Sequence, residues 1–153
     1  MIKRILLLFL AMLGVMPIAT WAGDDTAKSG HTPLHAAAWK GDVAQIQSLI
    51  ASGADVNVAS SFGTTPLHSA AVNNQVEAVK VLLQKGARVE ARDGLGRTPL
   101  FAALEIGANR PVIEALLAAG AAVDAKDNNG KTPIDIAWTD EMRTVLKQRL
   151  ARK

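Results

Sequence analysis

The chain has no cysteine and no tyrosine among its 153 residues, and only 4% of it is aromatic. Without cysteine there are no disulfide staples, no thiolate metal sites and no thiol nucleophile, so packing alone has to hold the fold together. Charge of one sign is also scarce. Lys and Arg number 17 against 14 Asp and Glu, and setting aside Lys3 and Arg4 leaves 15 against 14. A body so close to neutral lacks the concentrated positive charge that phosphate backbones require, and nucleic acid is excluded as a partner.

Only three histidines are present. His31 lies four residues before His35 but precedes the helix expected there, so the pair does not meet the i, i+4 geometry of a metal site. Asp24/Asp25 and Asp140/Glu141 are neighbours at chain or helix starts, where negative charge is favourable, rather than a separated pair in a cleft. No Gly-x-Ser-x-Gly or comparable nucleophile context occurs. The expectation is a protein without catalytic residues, metal or cofactor.

Long apolar runs are confined to the N-terminus. Met1 to Arg4 carries two positive charges, Ile5 to Val15 is uncharged, Pro17 breaks the run, and Thr20-Trp21-Ala22 offers small residues at a cleavage site. The apolar stretch is short of the roughly twenty residues of a membrane span. This three-part order predicts a secretory signal peptide over residues 1–22, cleaved after Ala22; retention as an N-terminal anchor is the other reading. A mature chain from residue 23 would then sit in the periplasm or outside the cell, with no membrane attachment and as a monomer.

What is abundant is repetition. Thr32-Pro33-Leu34-His35 recurs as Thr65-Pro66-Leu67-His68, Thr98-Pro99-Leu100-Phe101 and Thr132-Pro133-Ile134-Asp135, with proline spacings of 33, 33 and 34. Gly53-Ala54-Asp55-Val56-Asn57, Gly86-Ala87-Arg88-Val89-Glu90 and Gly120-Ala121-Ala122-Val123-Asp124 run in phase with it. Threonine before proline is a helix start, because the hydroxyl accepts from an orphan N–H and proline at the first position forfeits nothing. Glycine after an apolar helix is a stop. A first helix is therefore expected from Pro33, Pro66, Pro99 and Pro133, and a second one ending before Gly53, Gly86 and Gly120.

Ile46/Leu49/Ile50, Val79/Leu82/Leu83 and Ile113/Leu116/Leu117 each fall on one helical face, and Leu83 and Leu117 are expected in the shared core. A pair of short helices cannot bury such a face alone, so the pairs must stack. Ala36-Ala37-Ala38, Ala70-Ala71 and Ala102-Ala103 keep the first helix slim enough for close approach. Gly30, Gly63, Gly96 and Gly130 precede each Thr-Pro by two residues and mark projecting turns.

The pattern Gly-x-Thr-Pro-Leu-His-x-Ala-Ala, apolar-x-x-Leu-Leu, Gly-Ala-x-Val-Asn resembles the ankyrin repeat over residues 27–150. That resemblance implies an all-α solenoid of about four helix-turn-helix repeats (27–59, 60–92, 93–126 and 127–153, within a domain of residues 23–153). It also implies β-hairpin-like fingers and a concave surface that holds partner proteins. Phe101 and Asp135 depart from the motif histidine, residues 105–111 lengthen the third repeat, and residues 140–150 look like a polar closing helix. Trp138 is expected to plug the core beneath that last repeat. Trp39 reads equally as core or as recognition. The basic end, Arg143, Lys147, Arg149, Arg152 and Lys153, offsets a helix dipole.

Family contact positions, carried over by register, are Phe62, Thr64, Leu95, Arg97, Asn129 and Lys131 at the finger tips. At the ends of the first helices they are Trp39, Val72, Asn73, Glu105 and Ile106. Lys40 at a helix end and Lys28, Ser29 and His31 at the first tip complete the row. Apolar residues at successive tips either cover the neighbouring finger or face a partner. The resemblance thus implies a binding module for another protein: an inhibitor or immunity protein, or an accessory factor of an enzyme such as a periplasmic catalase. An exported effector acting on a host protein and a self-assembling structural protein are the alternatives.

Overall fold

The structure, a computed structural model, describes residues 29–151. The leader reading of residues 1–22, Lys28 at the first tip, and Arg152 and Lys153 of the basic end lie outside the described residues.

Threonine and proline start the first helices where the repeat places them. These are α1 (Pro33–Lys40), α3 (Pro66–Val72) and α5 (Pro99–Glu105), each with an extended threonine as N-cap and proline in its first turn. Their partners are α2 (Val43–Ala51), α4 (Val76–Gln84) and α6 (Arg110–Ala118), followed by α7 (Asp140–Leu150). Seven helices and no strands make up the secondary structure of the described residues, and none of these helices is long and apolar enough to cross a membrane.

First helices pack on first helices, α1 on α3 on α5, and second on second, α2 on α4 on α6, which gives two layers joined within each repeat. The core runs unbroken between them. Leu34, Leu67 and Leu100 are buried at the same position of successive repeats, as are Ile46, Val79 and Ile113. Beside these leucines Ala37, Ala38, Ala70, Ala71 and Ala103 are buried too, so the slim face sits against its neighbour. Leu83 departs from its expected place. Leu82 is fully buried, whereas Leu83 is half-buried and packs against the edge of the core. Leu117 is buried, as expected. Consecutive positions are about 100° apart on a helix, and α4 meets both neighbours through its Val79/Leu82 side.

A polar strap accompanies the apolar stack. The amide of Asn57 donates to the Gly86 carbonyl at 3.2 Å and accepts from the Arg88 N–H at 2.8 Å. One repeat later, the Glu90 carboxylate accepts from the Ala122 N–H at 2.8 Å. Asn57 and Glu90, the last residues of the first two of these segments, thus satisfy backbone of the next repeat, which a helix-free link would otherwise leave unpaired.

The fourth repeat departs furthest from expectation. Pro133 opens no helix; residues 133–136 form turns only. The distance along the chain from the motif threonine to the start of the second helix explains this. It is 11 residues in the first two repeats (32 to 43, 65 to 76), 12 in the third (98 to 110) and 8 in the fourth (132 to 140). Too few residues remain for two helical turns and a reversal. Without a helix to aim it inward, Trp138 is not the expected core plug but is 72% exposed.

Only Leu146 of α7 is fully buried. Met142 and Val145 pack against the edge of the core, and polar ties add to them: Arg110 to Glu141 at 2.7 Å, and the Arg149 guanidinium to the Leu117 carbonyl at 2.7 Å. Arg149 therefore caps the end of α6 as well as standing in the last turn of its own helix, where a cation offsets the dipole.

Leu82→Ala is expected to cost on the order of 2–5 kcal/mol, because it opens a cavity in a core that no single repeat can close, and Leu83→Ala markedly less. Denaturant unfolding of the two variants beside the parent measures both. Equal losses would mean that α4 is rotated from the orientation described.

Candidate functional site: a concave groove between the first helices and the fingers

Each finger is a short reversal locked by its first side chain. Asp93 accepts from the N–H groups of Leu95 and Arg97, both at 2.9 Å, and Asp127 accepts from those of Asn129 and Lys131 at 2.9 and 2.8 Å. Ser60 does the same work with a hydroxyl, accepting from the Phe62 N–H at 3.2 Å and pairing with the Thr64 hydroxyl at 2.6 Å. Backbone bonds across the base close each reversal: Ser60 to Thr64, Asp93 to Arg97 and Asp127 to Lys131. A local side-chain acceptor for successive N–H groups is what favours aspartate and serine in such turns.

Neighbouring fingers are bonded through their backbones as well. The Ser61 N–H donates to the Ser29 carbonyl, Gly94 to Phe62, and Asn128 to Leu95. This approach is why Gly63 carries no side chain: at its φ of 73° a Cβ would stand 2.9 Å from the Gly94 nitrogen. The fingers thus form one continuous row.

Histidine joins that row to the helices. The Thr32 N–H donates to Nδ1 of His35 at 3.1 Å, and Nε2 of the same ring lies 2.9 Å from the Thr64 carbonyl. His68 repeats both bonds with Thr65 and with the Arg97 carbonyl, at 3.2 and 3.0 Å. An N–H can only donate, so Nδ1 accepts and the ring proton sits on Nε2. Both imidazoles are neutral latches between a helix start and the next finger. Burial is the main cause that holds their pKa values below 6.5; the bonds to the Thr64 and Arg97 carbonyls oppose it in part.

The third repeat has a buried Phe101 at this position, and Thr98 accepts from the Phe101 N–H at 3.3 Å. The fourth finger is held differently. Arg92 donates to the carbonyls of Gly96 and Lys126, and the Asn128 amide donates to Gly94. Asp135 caps Thr132 within its own repeat, at 2.8 Å from the backbone N–H.

Between the finger row and the first helices of repeats one to three lies an open groove of about 430 Å³. Trp39 and Val72 stand at its helix-end side, with Ala36 and Ala102 as apolar floor. Thr64 and Arg97 form part of the finger side. Six of the expected contact residues, His31, Trp39, Lys40, Thr64, Val72 and Arg97, are brought together there. Of the two readings of Trp39, the core one does not hold: the side chain is 50% exposed.

Seven further expected residues lie around the groove rather than on its walls. Phe62 and Leu95 are exposed at successive tips, 64% and 55%, so neither covers the neighbouring finger. Ile106 is exposed beyond the end of α5. Asn73 spends its amide on the Trp39 carbonyl at 2.6 Å and ties two repeats. Glu105 is ion-paired with Arg97. Asn129 and Lys131 sit exposed on the fourth finger, with the Asn129 amide turned back to Asp127.

Sequence reasoning missed Asp93 as a groove residue. Its side chain is 2% exposed and pairs with Arg97 at 2.7 Å. Burial pushes the Asp93 carboxyl up, but the bonds from Arg97 and from the Leu95 N–H outweigh it and hold the pKa below the usual carboxylate value. Arg97 is likewise disfavoured as a cation by burial and restored by Asp93 and Glu105, which raise its pKa. The available signal was register: Ser60, Asp93 and Asp127 are spaced 33 and 34 residues apart. His31 and His35 also reach the groove, their rings edge to face at 5.1 Å. Among the described residues no cluster of three His, Cys, Asp or Glu side chains is placed to hold a metal ion.

The latches carry a pH dependence. Because both folded pKa values lie below 6.5, the unfolded chain binds protons first, so the latches' stabilisation is fully present above about pH 6.5 and is lost as pH falls toward the depressed folded values. Unfolding midpoints at about pH 7.5 and about pH 5 are expected to show a loss in the parent. The double variant His35→Asn/His68→Asn should be less stable at the higher pH and flatter between the two. An undiminished slope in that variant would place the titration elsewhere.

Comparison with known families agrees with this architecture. The family described as "Ankyrin repeats (3 copies)" matches residues 7–93, and "Ankyrin repeats (many copies)" matches residues 82–137. No curated protein matches the chain. The first match alone spans more than half of the 153 residues, and the helix pairs stack at the repeat the matches describe. The chain belongs to the ankyrin-repeat family.

Proposed function

We propose that this protein is an exported, non-catalytic binding module whose concave side holds a single partner protein. Ankyrin repeats suggest protein–protein interaction in general. The observation that carries the more specific reading is the row of exposed apolar side chains along one side. Trp39, Phe62, Leu95 and Ile106 are 48–64% exposed and stand at finger tips and first-helix ends; of the other large apolar side chains described, Trp138 and Leu150 are exposed outside that row. Exposed apolar groups gathered on one face are characteristic of interaction sites.

Export rests on the basic, apolar and small-residue order of residues 1–22, and with it the periplasm as the place of action. The partner is then another exported protein, blocked by an inhibitor or assisted by an accessory subunit; a periplasmic enzyme such as a catalase fits the second role. The repeat body acts as a monomer in this reading.

Two measurements test it. Expressed in a Gram-negative host, the periplasmic protein is expected to begin at Gly23, as read by intact mass. The family match starts at residue 7, inside the proposed leader, and a periplasmic mass that includes residues 1–22 would remove the cleavage proposal in favour of a retained N-terminal segment.

Replacing Phe62 and Leu95 together by aspartate is expected to abolish binding to the partner captured from the periplasmic fraction. Apolar anchors commonly carry about 2 kcal/mol or more each, and a charge there would be desolvated on contact. Both side chains are exposed, so thermal melting should be unchanged. Full affinity by calorimetry would move the partner site off the concave side.

A further inference from the structure

The groove beneath the fingers has a chemistry that narrows what can enter it. Most of its polar lining is already consumed internally, the exceptions among the described residues being the Ser69 hydroxyl, the His31 ring and Lys40. Both nitrogens of His35 and of His68 are bonded to backbone, and the Thr64 hydroxyl is on Ser60. Asp93 accepts from two N–H groups and from Arg97, whose guanidinium is shared with Glu105. A polar ligand entering would exchange its water mainly for groups already bonded within the protein, and would gain little by the exchange. The floor and the helix-end wall, Ala36, Ala102, Val72 and Trp39, present carbon.

Charge is distributed unevenly along the same groove. At its third-repeat end Asp93, Arg97 and Glu105 form a closed set. At its first-repeat end Lys40, in the last turn of α1, is exposed and makes no ion pair among the described residues. One cation without a partner, beside a half-exposed tryptophan, is the only ionic feature the groove offers among the described residues.

We propose that the groove seats an apolar side chain, aromatic or branched aliphatic, of a protein segment that also carries a carboxylate placed to meet Lys40. The proposal rests on the reading of the concave side as a protein-binding surface and specifies the segment that surface selects. A volume of about 430 Å³ suits one large side chain with part of its backbone. An aromatic ring seated there buries its area against Trp39 and the histidine rings. The carboxylate does not add much affinity at an exposed lysine; it fixes direction and excludes basic segments.

The test uses the full chain and random peptides displayed on phage, with labelled synthetic copies of the enriched peptides for affinity. Enriched sequences are expected to pair an aromatic or branched aliphatic residue with Asp or Glu. Ala36 is exposed on the solvent side of α1 and lines the groove, so Ala36→Trp fills the space without touching the core. That variant should lose about ten-fold or more in affinity at unchanged melting temperature. Lys40→Glu should reverse the preference, weakening acidic peptides and admitting basic ones.

Peptides that bind Ala36→Trp undiminished would overturn the groove as their seat. If the same peptides are lost on replacing Phe62 and Leu95, the protein-binding reading stands while this inference fails. Enrichment without acidic residues, or indifference to Lys40→Glu, removes the carboxylate. No enrichment, together with an apolar dye that binds the parent and not Ala36→Trp, would make the groove a small-molecule pocket and overturn the proposal.

Discussion

In each of the first two repeats one imidazole, held between the backbone N–H of its own helix cap and a carbonyl of the next finger, connects that finger to the helices. Through His35 and His68 the first two fingers after the opening repeat are set relative to the helices. The bond has only one workable tautomer, and the ring is buried. Its geometry is therefore as rigid as the packing around it. A groove between fingers and helices has a defined width because that distance is bridged by one ring.

Where the ring is absent the chain solves the same problem by other means. Phe101 supplies apolar filling in the third repeat, and the fourth finger is tied from the side by Arg92 and Asn128. The consequence is visible in the fold: the groove spans repeats one to three and stops before the fourth finger. Stacking is regular up to α6 and continues to α7 through one fully buried leucine, the partly buried Met142 and Val145 and a few polar ties. In a repeat array each unit is stabilised by its neighbours, so a shortened last repeat both ends the stack and depends on it.

The polar and apolar parts of the concave side have separate tasks. Residues that look functional by position, Asn73, Glu105 and Arg97, spend their hydrogen bonds on the protein itself and fix its shape. What remains turned outward is mainly carbon: Phe62, Leu95, Trp39 and Ile106. Buried polar groups that are fully satisfied give a surface of set geometry with few competing hydrogen bonds, which favours apolar anchors over polar recognition.

The sequence by itself determined the period, the helix starts at Pro33, Pro66 and Pro99, the ends marked by Gly53, Gly86 and Gly120, and the need to stack. Each of these is local chemistry: a cap, a left-handed glycine, an apolar face too large for one helix pair. Only the tertiary structure decided the matters that depend on how one repeat meets the next. It buries Leu82 and leaves Leu83 at the edge, because the angle at which α4 meets its neighbours is not written within α4. It leaves Trp138 in solvent, because the seven residues between Thr132 and the start of α7 at Asp140 cannot form both a helix that would turn it inward and a reversal. It brings Asp93 and His31 beside Trp39 and Val72, residues from three different repeats, because a groove is a property of the stack and no single repeat contains one.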